Sequence, residues 1–146
     1  MFKNVVIVCH ANICRSPMAE ALFLAEAKIK EAGIVVHSAG LAAVNGNKAD
    51  KVVSEMLARR GMDLSVHRSR RLTVDMIRAA QLVLVMEQHQ IRGVEAMDSS
   101  SKGKVHLLGK WDDVEIGDPY RQDESVYRGS AELVERSVAN WIKKIC

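Results

Sequence analysis

The sequence predicts an α/β fold: a three-layer sandwich with a central four-stranded parallel sheet flanked by helices and a phosphate-binding loop after strand 1. Three observations carry this. Short apolar runs rich in β-branched residues, Val5 to Val8 and Leu82 to Met86, have the length of buried strands. They alternate with stretches of helical period, which favours parallel strands covered on both faces. The first run leads through a small loop, Cys9 to Arg15, into Ser16-Pro17, a favoured helix start. Loop amides and the free N–H groups of that helix would converge on one spot, a ready anion site.

In chain order, strand 1 is expected over 4–9 and helix 1 over 17–32, with Ala21, Leu22, Ala25 and Ile29 on one face and Gly33 as its stop. Ile34-Val35-Val36 reads as a second short buried strand. Ser38-Ala39-Gly40 then opens a small-residue loop to Asn47. A second helix is expected over 49–60, with Val52, Val53, Met56 and Leu57 inward and Gly61 after it. Residues 64–71 form an irregular polar link. Thr73 can cap a short helix reaching Ala80. The central strand 82–86 precedes a helix over 87–97, a loop over 98–103 and a fourth strand over 104–108. A long acidic loop, 109–124, leads to a final helix over 125–145 with Val134, Val138, Trp141, Ile142 and Ile145 as its apolar stripe.

At 146 residues the chain fits one domain, 1–146, large enough to bury roughly 70% of its unfolded surface. A net charge of +3 is too small to argue for nucleic acid. No apolar stretch reaches the ~18 residues of a membrane span or the pattern of a secretory leader, so a cytoplasmic protein without membrane insertion is expected. The oligomeric state is not legible. Three cysteines imply no disulfide framework, and in a reducing compartment they are free thiols.

Ligands of parallel sheets sit beyond the C-terminal strand ends, where Cys9 falls. The bare spacing Cys9-x5-Arg15 is weak, a chance match on the order of 10–20% of the time at average composition. The context is stronger. A thiol aimed at an anion site is a nucleophile, though an ordinary one is only about 3% thiolate at pH 7. Arg15 can clamp two phosphate oxygens with its planar fork. A cation beside a helix start is electrostatically poor unless an anion binds there. Ser16 can cap the helix, hydrogen-bond the Cys9 sulfur, or both. Asn12 can hold the loop shape through its amide. Five carboxylates in the acidic loop, Asp112, Asp113, Glu115, Asp118 and Asp123, are candidates for a general acid, and spacing alone does not choose among them. Tyr120 is a candidate wall of a cleft, and Leu41 is either its opposite wall or plain core packing. Cys14 lacks the partners of a zinc site, and no metal or cofactor is expected. His67-Arg68-Ser69-Arg70-Arg71, with Arg59 and Arg60, is a basic cluster that reads as a solvated face or as an anion-concentrating one.

The run Cys9-His10-Ala11-Asn12-Ile13-Cys14-Arg15-Ser16, with Ser38-Ala39-Gly40 and Asp118-Pro119-Tyr120 downstream, resembles the low-molecular-weight protein tyrosine phosphatases over essentially the whole chain. The resemblance implies hydrolysis of protein phosphotyrosine through a cysteinyl-phosphate, with Cys9 as nucleophile, Arg15 on the phosphoryl oxygens and Asp118 as general acid. It implies that His10, Ala11, Asn12, Ile13, Cys14 and Ser16 bind phosphate or support the loop, that Ser16 stabilises the leaving thiolate, and that Tyr120 stacks near the substrate ring. It also implies that Cys14 can trap oxidised Cys9 as a disulfide, and that His67 or Ser69 supports the loop. Two positions depart from the family. Ala11 stands where Gly is usual, which is harmless at negative φ and strained otherwise. Arg121 stands where eukaryotic members commonly have a second Tyr. Arg121 and the Leu41 region resemble the bacterial members that pair with tyrosine autokinases of capsule and exopolysaccharide export, so the expected partner is a phosphotyrosine protein of that kind.

Rival readings are weaker. An arsenate reductase of the same superfamily would need relay cysteines, and there are none between Cys14 and Cys146. A protein arginine phosphatase would carry Thr where Ile13 leaves a bulkier apolar wall suited to an aromatic ring. A silent phosphotyrosine-binding module would lack the nucleophile or the acid, and both are present. The acidic 112–124 stretch beside the site suggests a taste for basic or neutral peptide surroundings.

Overall fold

The computed structural model describes residues 2–146. Four strands, β1 (Asn4–Cys9), β2 (Val35–Gly40), β3 (Leu82–Val85) and β4 (Val105–Leu107), form one parallel sheet in the order β2-β1-β3-β4. Six helices accompany them: α1 (Arg15–Leu24), α2 (Ala27–Glu31), α3 (Lys51–Ala58), α4 (Val74–Ala79), α5 (Gln88–Met97) and α6 (Glu124–Ile145). The strand period of two sorts the core into two faces. Val5, Ile7, Leu82 and Leu84 pack with Met18, Phe23, Val53, Leu57, Val134, Val138 and Trp141, which places α1, α3 and α6 on one side. Val6, Val8, Val83 and Val85 pack with Leu72, Ile77 and Val94, which places α4 and α5 on the other. Residues 5–8 of β1 are wholly buried, as expected of a central strand covered on both faces.

The expected helix over 17–32 is two helices. The chain breaks after Leu24: Glu26 is extended (φ −84°, ψ 126°) and becomes the N-cap of α2. A straight helix of sixteen residues would run about 24 Å, past the end of strands about 20 Å long. The break lets Ile29 tuck wholly into the core, while Ala25, placed inward by the periodicity, is exposed. The helix also starts earlier than Ser16-Pro17. Cys14 occupies the N-cap without a side-chain cap bond, so Ser16 lies inside the first turn and is not the cap.

Strand β2 is shifted from the expected 34–36. It runs on through Ser38, Ala39 and Gly40, because β1 stays paired until Cys9 meets Gly40. Val35 begins this edge strand 56% exposed, not buried. The helix expected over 49–60 is trimmed to α3, capped by Asp50, whose Oδ1 accepts from Val52 and Val53 N–H. Val53 and Leu57 of α3 are buried, while Val52 and Met56 only border the core. Thr73 caps α4 as expected. The 98–103 and 109–124 loops each contain a 3₁₀ turn, at Ser99–Ser101 and Lys110–Asp112. Helix α6 carries the expected stripe, with Tyr127 and Ser130 also buried near its start.

Candidate active site

The C-terminal ends of β1, β2 and β3 meet at one edge of the sheet, and residues 9–15 cross it. The loop's shape rests on Asn12. Its φ of 59° makes it the left-handed residue, a conformation that Asn tolerates better than most side chains. Ala11 is not in that region, so Ala where Gly is usual adds no strain there. The Asn12 amide is fully used: Nδ2 donates to Ser16 Oγ (2.8 Å) and Ser38 Oγ (2.9 Å), and Oδ1 accepts from Arg70 N (3.0 Å). Ser38 in turn donates to the Glu20 carboxylate. These bonds leave only one orientation of the Asn12 amide satisfied.

The loop is braced from outside as well. Leu41 N donates to Cys9 O and Ala42 N to His10 O, both at 2.9 Å; Asp50 N donates to Ile13 O at 2.8 Å. His67 Nε2 donates to Asn12 O at 2.8 Å. Ser69 instead binds Val44 O and Asn47 N, so of these two residues it is His67 that touches the loop. Gly40 backs the loop closely: a Cβ there would stand 2.6 Å from His10 O.

Cys9 Sγ lies 2.9 Å from Ser16 Oγ and 3.3 Å from the Asn12 N–H. Arg15 is 2% exposed. Its Nη1 donates to Glu87 Oε1 (2.5 Å) and Ile116 O (2.8 Å), and Nη2 lies 3.9 Å from Asp118 Oδ2. Its Nε has no protein acceptor and remains a buried unpaired donor. A buried guanidinium requires this pairing. Burial pushes the Glu87 carboxyl up, but the hydrogen bond and charge of Arg15 outweigh it and hold the group below the usual range. Glu87 is also the N-cap of α5, in a reciprocal cap with Gln90.

Asp118 and Tyr120 arrive on the loop after β4. Tyr120 N donates to Asp118 Oδ1 at 3.0 Å, and Pro119 between them is buried. Cys9, His10, Ala11, Ile13, Cys14, Arg15, Asp118 and Tyr120 together line one cavity of about 270 Å³. Leu41 is not among them. It packs against the core on the α4–α5 side, within 3.2 Å of where a Cβ on Gly93 would stand. Burial first, then the nearby charges of Asp50 and Asp118, push the Cys14 thiol far above the ordinary range, with Arg15 opposing, so Cys14 stays protonated. Asp112 is held by Arg136 and Asn140, and Glu115 accepts from Gln88 N. The acidic loop is thus not a uniform wall beside the cavity.

The arrangement can seat a tetrahedral dianion between loop amides and guanidinium, in a cavity that a thiol and a carboxylate both line. Sequence reasoning missed Glu87, Glu20, Asp50 and Tyr127. Glu87 had a usable signal: a carboxylate at the C-terminal end of a central strand lies on the ligand-binding edge. No helix among the described residues is long and apolar enough to cross a membrane.

The family model for low molecular weight phosphotyrosine protein phosphatase matches residues 4–146. The low molecular weight protein-tyrosine-phosphatase Ptp of Acinetobacter johnsonii is 38% identical over 144 residues, 99% of both chains. The crystal structure of the tyrosine phosphatase AmsI of Erwinia amylovora superposes with a TM-score of 0.90 at 34% identity, over 99% of this chain and 93% of that one. The YwlE arginine phosphatase of Geobacillus stearothermophilus superposes at 0.88 with 28% identity, over 98% and 92%.

Proposed function

Because the chain belongs to the low-molecular-weight phosphotyrosine protein phosphatase family, we propose that Cys9, Arg15 and Asp118 carry a two-step hydrolysis of protein phosphotyrosine. The observation that supports the assignment is their shared cavity. In the first step the Cys9 thiolate attacks phosphorus and the P–O bond to tyrosine breaks. The tyrosyl oxygen, a poor leaving group with a pKa near ~10, takes the Asp118 proton. In the second, the Asp118 carboxylate takes a proton from water, which attacks the cysteinyl-phosphate and releases phosphate and thiolate. Arg15 and the amides of residues 10–15 hold the equatorial oxygens through both steps. The Ser16 hydroxyl, 2.9 Å from Sγ, stabilises the thiolate as it leaves.

Tyrosine is favoured over arginine by Ile13 and Tyr120, which give the cavity lining an apolar and aromatic character suited to a ring. Residues 1–146 act as one phosphatase domain in the cytoplasm, consistent with three free cysteines. The physiological substrate is a tyrosine autokinase of polysaccharide export, a reading that rests on resemblance to the bacterial members.

The test is pre-steady-state hydrolysis of an aryl phosphate near pH 6 with EDTA, in wild type, Cys9→Ser and Asp118→Asn. The expected result is a phenol burst in wild type, none in Cys9→Ser, and a first step slowed about 10²-fold or more in Asp118→Asn. Wild type that binds phosphate without turnover would make the chain a binding module. Faster release of phosphate from phosphoarginine than from phosphotyrosine peptides would move the substrate to arginine.

A further inference from the structure

Arg121 lies next to Tyr120, and three observations single it out. It is a non-glycine residue at φ 60°, a backbone region that side chains rarely adopt. Its guanidinium sits over the Tyr120 ring, 5.1 Å from the centroid, on a residue whose side chain also lines the Cys9 cavity. It is exposed and makes no ion pair among the described residues.

The strained backbone is held from behind. Arg121 N–H donates to the Tyr127 hydroxyl (3.2 Å), which donates to Asp50 Oδ2 (3.1 Å). The other Asp50 oxygen caps α3, and the Asp50 N–H donates to Ile13 O in the phosphate loop (2.8 Å). A chain of hydrogen bonds therefore fixes Arg121 relative to the loop that holds the phosphate. A guanidinium set against an aromatic ring keeps N–H donors available for a carboxylate. Of the nearby carboxylates, Asp112 is engaged with Arg136, Glu115 with Gln88 N, and Asp118 with Tyr120 N and Arg15, and none of those around it forms an ion pair with Arg121 among the described residues. Gln122 and Asp123 follow on the same exposed turn, and Asp123, the N-cap of α6, makes no side-chain cap bond.

We propose that Arg121 forms a substrate subsite at the mouth of the cleft that selects phosphotyrosines flanked by an acidic side chain. This rests on the phosphatase reading and reverses the preference suggested by the acidic composition of residues 112–124. A phosphotyrosine ring seated against Tyr120 brings its neighbouring residues over the rim, where Arg121 is the cation placed to meet them.

The test compares kcat/KM for two phosphotyrosine peptides that differ only in Glu or Lys on both sides of the phosphotyrosine. Wild type, Arg121→Gln and Arg121→Gly are measured at low and at physiological ionic strength. Each enzyme is judged by its own Glu/Lys ratio, so a general loss of activity in a variant cancels. Glycine accepts φ 60° without strain, which guards against misfolding. The expected wild-type ratio is about fivefold at low salt, smaller at high salt, carried by KM, and close to one in both variants. A wild-type ratio near one, or a ratio that survives both substitutions, overturns the subsite while leaving the phosphatase intact. Failure to hydrolyse either peptide overturns both.

Discussion

Replacing Asn12 with Ala should be among the most damaging single changes in this chain, and its cost can be built from the contacts. Three hydrogen bonds disappear, to Ser16, Ser38 and Arg70. At about 1 kcal/mol net each, they account for about 3 kcal/mol. The site is wholly buried, so water does not replace them. Alanine must also hold φ 59°, which adds about 1 kcal/mol. The total, about 4 kcal/mol, is a large share of the 5–15 kcal/mol typical of a domain. It should lower Tm by roughly 12 °C at this chain length. Asn12→Gly loses the same bonds but accepts the backbone angle, and should recover about 1 kcal/mol of the loss. The assay is urea denaturation followed by circular dichroism, with aryl phosphate kinetics alongside. A loss below about 2 kcal/mol for Ala, or identical losses for Ala and Gly, would refute the argument that Asn12 holds the loop by both its amide and its backbone.

Gly40→Ala should push His10 O out of place, since the new Cβ would stand 2.6 Å from it. Inhibition by inorganic phosphate should weaken at least about tenfold, and an unchanged inhibition constant would sink the claim that β2 shapes the loop. Glu87→Gln should flatten the acid limb of the stability curve. A depressed carboxyl contributes stability that is present above its unfolded value, near ~4.3, and lost as pH falls through its folded one. Urea midpoints between pH 5 and 3 should therefore fall more steeply in wild type than in the variant. His106 is held below the ordinary histidine range by burial and then by Lys110. Its contribution is present above pH ~6.5 and lost as pH falls through the folded value. His106→Gln should lose less stability than wild type between pH 7 and 5, and parallel curves would contradict this.

The sheet was legible because Val5–Val8 and Leu82–Val85 are strongly patterned and too short for helices. Helix edges were less so. The break at Ala25–Glu26 follows from the length of the neighbouring strands, which local propensity does not report. Ser38-Ala39-Gly40 read as a loop because small residues carry little strand signal, yet pairing with β1 holds them extended. The loop residues of the site were visible as a contiguous string, and Asp118 only through resemblance. Asp50 and Tyr127 were hidden because each meets the site across the fold rather than along the chain, whereas Glu87 stood in plain view at the ligand-binding end of a central strand. Leu41 was expected in the cleft, and its packing against α5 shows that proximity to a motif does not fix where a side chain points.

The partners of Arg15 lie 72 and 101 residues further along the chain, at Glu87 and Ile116. A growing polypeptide that has completed β1 and α1 already contains the entire Cys9–Ser16 signature. It lacks Glu87, the carboxylate that neutralises the guanidinium the signature must bury. Until Glu87 and then the 109–118 segment have left the ribosome and docked, burying Arg15 is unfavourable and the loop has reason to stay open. Competence thus comes late in the life of each molecule. In refolding, turnover of an aryl phosphate should follow the burial of Trp141 against the carbonyls of Leu107 and Leu108. A half-made copy carries the whole motif and no activity.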